Sequence, residues 1–213
     1  MIDPEMLPPE QAAELLHRQE ALQAEAHTVP AELHLMELLT SIGQVRQLGR
    51  SALGVMAWRD IDLTVSAAGM SIDLILETMH PVFAHPNVKR MRYLKEVGHF
   101  NPTGEQVHDR HYFGVYYLPS TGVEWKIDIS FWLCCGEHPE PVHEALARHL
   151  TAEKRLVILW LKDIWWRLPA YRYQVYSVDI YDAVMAHGVQ TPPGFDAYVA
   201  ARGKPTRAEQ AQE

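Results

Sequence analysis

Cysteine is nearly absent from this sequence: Cys134 and Cys135 are the two in 213 residues. Adjacent cysteines rarely bridge each other, and no C-x-x-C spacing occurs. A disulfide framework is therefore not expected, and a reducing, cytoplasmic setting is. Long apolar runs are missing too. No stretch approaches the about 20 residues needed to span a bilayer, so no membrane partner is expected. The first residues lack the basic start and apolar run of a secretory leader. No internal repeat is visible. Basic charge is also in short supply, with 19 Lys and Arg against 27 Asp and Glu, a formal net charge of −8. A general nucleic-acid binder needs a basic surface; a small molecule or a protein is the favoured partner.

What is present is a globular composition, 47% apolar and 22% charged, in a chain long enough to bury a core. Residues 45–65 (V-R-Q-L-G-R-S-A-L-G-V-M-A-W-R-D-I-D-L-T-V) carry the strongest signal. They read as a short apolar strand, a Gly-bounded turn, and a second strand with aspartates at alternate positions. Alternation sends Asp60 and Asp62 to one face and Ile61 and Leu63 to the other. Two carboxylates on one face raise each other's pKa unless a cation sits between them. Mg²⁺, a hard ion that takes oxygen ligands and carries phosphates, is the simplest partner. A solvated strand face is the competing explanation, although aspartate is a poor strand former. Residues 123–131 form another alternating strand with Asp128 between Ile127 and Ile129. Three strand-borne aspartates suit a two-metal phosphoryl-transfer site.

These residues carry a resemblance. Gly49, Ser51 to Gly54, Asp60-Ile61-Asp62-Leu63 and Ile127-Asp128-Ile129 resemble the nucleotidyltransferase superfamily of the DNA polymerase beta type. The likeness covers roughly residues 45–130, and the helical C-terminal part is similar to small bacterial members such as the aminoglycoside and lincosamide nucleotidyltransferases. The resemblance implies Asp60, Asp62 and Asp128 as catalytic, metal-holding residues, and Gly49, Arg50 and Ser51 as nucleotide-binding ones. Mg²⁺ and an NTP, with ATP the expected donor, would be the cofactor and substrate. The family usually has Ser directly after the Gly; here Arg50 stands there and Ser51 follows. Either the turn shifts by one residue, or Arg50 takes over the phosphate contact.

Along the chain, residues 10–26 predict a helix, a homodimer contact being one use for it. Residues 28–43 predict a second, opening near Pro30. Residues 71–84 predict an amphipathic helix, 88–97 a strand with a basic side, 98–109 a loop, and 110–118 an aromatic strand leading to the Asp128 strand. Helices are expected over 139–150, 151–168, 172–187 and 191–198, with a frayed tail beyond Arg202. The fold class expected is α/β (α+β): a mixed, partly antiparallel sheet with flanking helices. Residues 1–150 would form the catalytic domain and 151–213 a helical region. His99, His108 and His111 lack zinc-ligand spacing, and the twelve histidines read as dispersed surface residues. Lys154 and Lys162 are alternatives for reaching a triphosphate, with a solvated face the stronger reading of each.

The activity implied is transfer of an NMP group from an NTP to a hydroxyl of a small molecule, such as an antibiotic, with release of pyrophosphate. Rival readings are an inactive nucleotide-binding protein, an antitoxin-like protein adenylyltransferase, and a structural domain with solvated aspartates.

Overall fold

The structure, a computed structural model, describes residues 6–66, 69–134 and 140–210. Helices α1 (Pro9–Glu32) and α2 (Leu35–Thr40) precede strand β1 (Gln44–Leu48), the short helix α3 (Gly49–Leu53) and strand β2 (Asp60–Ser66). Then come α4 (Ile72–Ala84), β3 (Val88–Glu96), β4 (Arg110–Tyr117) and β5 (Trp125–Trp132), followed by α5 (Glu140–His149), α6 (Ala152–Trp165), α7 (Ser177–Met185), α8 (Pro192–Ala200) and α9 (Arg207–Gln210). The five strands form one mixed sheet in the order β1-β2-β5-β4-β3. Only the β2–β5 pair is parallel; the other three pairs are antiparallel. The fold is thus the mixed α/β class that the strand and helix patterns imply. Among the described residues no helix is long and apolar enough to cross a membrane.

The chain divides into two compact units, one of Leu22–Leu53 and Trp58–Glu144, the other of Met1–Ala21, Gly54–Ala57 and Ala145–Glu213. The first holds the whole sheet. Its apolar face carries Ile61, Leu63, Val65, Phe113, Val115, Ile127, Ile129 and Phe131, all at 0–1% exposure. Leu22, Ala26 and Val29 from α1, Leu33 just beyond its end, Leu39 from α2, and Ile75, Met79 and Val82 from α4 add to this core. Polar ties register α1: Glu25 accepts from Arg59 at 2.8 and 2.9 Å and from the Trp125 indole at 3.3 Å, and the Tyr117 hydroxyl donates to Glu32. Pro30 does not open a new helix as expected. It sits inside the last turn of α1, where burial of Ala26 and Val29 outweighs the backbone hydrogen bond that proline removes. The break falls instead at His34, whose φ of 51° is left-handed.

The second unit is helical. In it α6 buries Ile158, Leu159, Leu161 and Trp165, α7 buries Ile180 and Ala183, and the Trp165 ring meets Phe195 of α8 edge-on at 5.1 Å. Thr151 caps α6 and Thr191 caps α8, each hydroxyl accepting from the backbone three residues on. The helix expected over residues 172–187 starts only at Ser177. Arg172 has a φ of 72° and its N–H bonds to the Val175 carbonyl at 2.8 Å, so the preceding residues form a turn. The tail is not frayed either, at least to residue 210. Lys204 bonds Asp179 at 2.6 Å, Arg207 bonds Asp196 at 2.7 Å, and Gln210 accepts from the Ala170 N–H at 2.8 Å. Cys135 and Pro139 lie outside the described residues.

Candidate active site

The other face of the sheet is polar, because alternation sends every second side chain there. Pairing aligns these residues into cross-strand rows. One row is Asp62, Asp128, Gly114 and Arg92; the next is Asp60, Lys126, Tyr116 and Arg90. A third begins Thr64, Ser130, Tyr112. The parallel pairing of β2 with β5 therefore sets Asp128 directly across from Asp62, although the two are far apart in sequence.

Asp60, Asp62 and Asp128 each offer an oxygen to a common point, these atoms all lying within 4.8 Å of one another. Asp60 is only 5% exposed. Its Oδ2 accepts from the Arg50 guanidinium, whereas its buried Oδ1 has no hydrogen-bond partner. Asp128 accepts from the Tyr112 hydroxyl on Oδ1 and from the Lys126 ammonium on Oδ2, both at 2.6 Å. Burial, then the neighbouring Asp60 carboxylate, push the Asp62 carboxyl up to about 7, against the opposing pull of Arg50. Burial and Asp60 likewise raise Asp128, opposed by Lys126 and by the Tyr112 hydrogen bond. Burial, reinforced by Asp128, makes the Tyr112 hydroxyl a weaker acid than usual.

Three carboxylates thus face two cations, and one buried oxygen is unserved. Those are the features a divalent cation would satisfy: hard oxygen donors, convergent, with a deficit of positive charge. The residues present fit such an ion.

Gly49 closes one side. Its φ of +67° is left-handed, and a Cβ there would overlap the Asp62 carboxylate, so glycine alone lets the chain lie against that side chain. The expected turn after β1 is the five-residue helix α3. Arg50 lies with its guanidinium 4.0 Å from the centre of the Trp58 ring while it pairs with Asp60. Ser51 is buried at 2% exposure; its hydroxyl donates to the Leu48 carbonyl at 3.3 Å and its carbonyl accepts from Gln23 at 2.7 Å. The structure therefore brings Gly49 and Arg50 to the three aspartates, while the Ser51 hydroxyl is committed to its own turn.

Tyr112, Gly114, Lys126 and Trp58 are absent from the sequence-based set. The alternation of Arg110, Tyr112, Gly114 and Tyr116 held a signal, since it places them on one face, but their strand's position next to β5 was needed to use it. Two lysine and histidine readings are corrected. Lys162 is not solvated: it is fully buried in the helical unit, with its ammonium donating to the Val55 carbonyl at 2.8 Å and the Tyr181 hydroxyl at 3.2 Å. His111 is not a surface residue but is 5% exposed and bonded to the Tyr93 hydroxyl at 2.8 Å.

No protein-family model and no curated protein sequence matches the chain. Among solved structures it is similar to the Cid1 poly(U) polymerase with Mg and 3′-dATP bound, at TM-score 0.46 and 14% identity over 72% of this chain and 46% of that one. A cytoplasmic RNA terminal U-transferase is similar at TM-score 0.38 and 14% identity over 70% of this chain and 46% of its own. CdnC of E. coli MS115-1, solved with ATP, is similar at TM-score 0.42 and 16% identity over 92% of this chain and 67% of that one. The chain spans less than half the length of the first two and about two thirds of the third.

Proposed function

We propose that the chain is a metal-dependent nucleotidyltransferase, moving an NMP group from an NTP to an acceptor hydroxyl and releasing pyrophosphate. The observation that carries this reading is the convergence of Asp60, Asp62 and Asp128 with the Asp60 Oδ1 buried and unpartnered. Asp60 and Asp62 would hold Mg²⁺, with Asp128 as the third ligand. Bound there, the ion would stabilise negative charge on phosphate oxygens and lower the pKa of an acceptor hydroxyl. The remaining work belongs to the chain. Asp128 would also serve as the general base. Tyr112 and Lys126 hold its two oxygens and so aim the carboxylate. As the acceptor oxygen bonds to the α-phosphorus, the bond from that phosphorus to the departing pyrophosphate breaks and the hydroxyl proton passes to Asp128. The Gly49 turn offers backbone N–H groups to the terminal phosphates.

ATP is the donor we expect. A small-molecule acceptor is supported by the net charge of −8, which opposes a polyanion. The decisive experiment is pyrophosphate release from each NTP with Mg²⁺ across an acceptor panel. Asp60→Ala and Asp62→Ala should abolish it with the fold intact, and Asp128→Asn should lower kcat about 10²–10⁴-fold. Full activity in any of the three would remove that residue from the mechanism. A second reading, nucleotide binding without turnover, is favoured by the Arg50 guanidinium already seated on Asp60. Tight NTP binding with no pyrophosphate release under any acceptor would select it.

A further inference from the structure

The Asp60 carboxylate is served on one side only: Arg50 pairs with Oδ2, and Oδ1 is buried with no partner. The guanidinium is itself largely enclosed, 14% exposed, and lies against the flat face of Trp58. Charge balance and geometry place it where it partly stands in for an ion. A guanidinium and a divalent cation on the same small carboxylate would repel each other, so the two uses of Asp60 compete.

The neighbours leave a second task for the same side chain. Lys126 is paired with Asp128 at 2.6 Å and the Ser51 hydroxyl is bonded to the Leu48 carbonyl. Arg50 directly follows the left-handed Gly49 that packs on Asp62, so its stem starts at the turn where phosphates would lie. Its side chain rotates about several bonds, and the Trp58 ring gives the planar group a surface to slide on while the backbone stays in place.

We infer that Arg50 is an exchangeable counter-ion: it holds Asp60 in the metal-free chain and swings along Trp58 to the phosphates of a bound nucleotide when Asp60 takes up a divalent cation. Metal and nucleotide then load cooperatively, each raising the affinity for the other by the same factor. This inference rests on the nucleotidyl-transfer reading and goes beyond it by linking the two ligands through one side chain. Its signature is a metal affinity that improves when Arg50 is removed.

The test is Mn²⁺ binding to the full chain, followed by electron paramagnetic resonance with and without a non-hydrolysable ATP analogue. Wild type should bind Mn²⁺ weakly alone and about tenfold or more tightly with the analogue. Arg50→Gln should bind Mn²⁺ alone about tenfold more tightly than wild type, bind the analogue more weakly, and lose most of the coupling. Equal Mn²⁺ affinity in wild type and Arg50→Gln would overturn the exchange, as would metal and analogue binding wild type independently. If wild type bound no Mn²⁺ even with the analogue, the nucleotidyl-transfer reading would fall and take this one with it. A second readout needs no Arg50 variant. Mg²⁺ plus the analogue should change tryptophan emission in wild type and not in Trp58→Phe, because the cation leaves its place over that indole. Unchanged wild-type emission on saturation would also overturn the exchange.

Discussion

At the scale of single residues, the Asp62 proton is the most informative handle on the site. Burial and the Asp60 carboxylate hold its pKa up at about 7, against an ordinary 3.8. Between those values the folded chain keeps a proton that the unfolded chain has released. Stability of the metal-free protein must then fall as pH rises across that window, the reverse of a salt-bridged carboxylate. Asp128 acts in the same direction. The melting temperature of metal-free protein should therefore decline from about pH 4 to about pH 7, and Asp62→Asn should flatten the decline. Divalent-ion affinity should climb over the same range, because the ion competes with that proton; calorimetric titration at several pH values would check this. Asp60, Asp62 and Asp128 were legible as residues because charged side chains between strand-forming apolar ones break a local rule. Tyr112 breaks none, and Lys126, between Trp125 and Ile127, breaks the same rule without showing its task; only their bonds to Asp128 reveal what they do.

At the scale of elements, the site is a matter of register. Strand β4 places Gly114 opposite Asp128, and Tyr112 lies across that glycine to reach the carboxylate. A Cβ on Gly114 would come within 3.1 Å of the Tyr112 hydroxyl. Gly114→Ala should therefore shift the Tyr112 hydroxyl by a few tenths of an ångström and weaken its bond to Asp128, and the comparison of kcat with the urea midpoint should show a larger loss in turnover than in stability. The apolar face behaves oppositely. Ile127 is 0% exposed beside Asp128 in the same strand, and Ile127→Ala should cost about 2–5 kcal/mol, read from urea unfolding. Helix α1 shows where element boundaries escape local rules. Pro30 is a plausible helix start by itself, yet it falls in the last turn of a helix whose buried face, Leu22, Ala26 and Val29, leads up to it. The turn at residues 170–175 makes the converse case: helix-forming residues give way where Arg172 takes a left-handed conformation.

At the scale of the whole molecule, charge and ligand linkage are the accessible quantities. The net charge is −8, yet the polar sheet face carries Arg90, Arg92, Arg110 and Lys126. Three of these are paired with carboxylates, Arg90 with Glu124, Arg110 with Glu96 and Lys126 with Asp128, so a triphosphate approaches the three aspartates only with a divalent cation to offset their charge. If the native state alone binds such a pair, stability rises by mass action, by about 2.7 kcal/mol at a hundredfold excess over Kd. Thermal unfolding with each NTP should show an upward shift that needs Mg²⁺ and is lost in Asp60→Ala. A shift with nucleotide alone would place binding away from the three aspartates.

The linear chain by itself determined the alternation that gives the sheet one polar and one apolar face, the two aspartates of β2, and the third aspartate flanked by isoleucines. Those are consequences of a period of two and need no partner to be read. Only the tertiary structure decided that β5 lies parallel to β2 with Asp128 across from Asp62, that Arg50 is seated on Asp60, and that Lys162 is buried rather than reaching outward. Strand order, register and the partner of a long flexible cation are set by contacts between residues remote in sequence, and no local pattern encodes them.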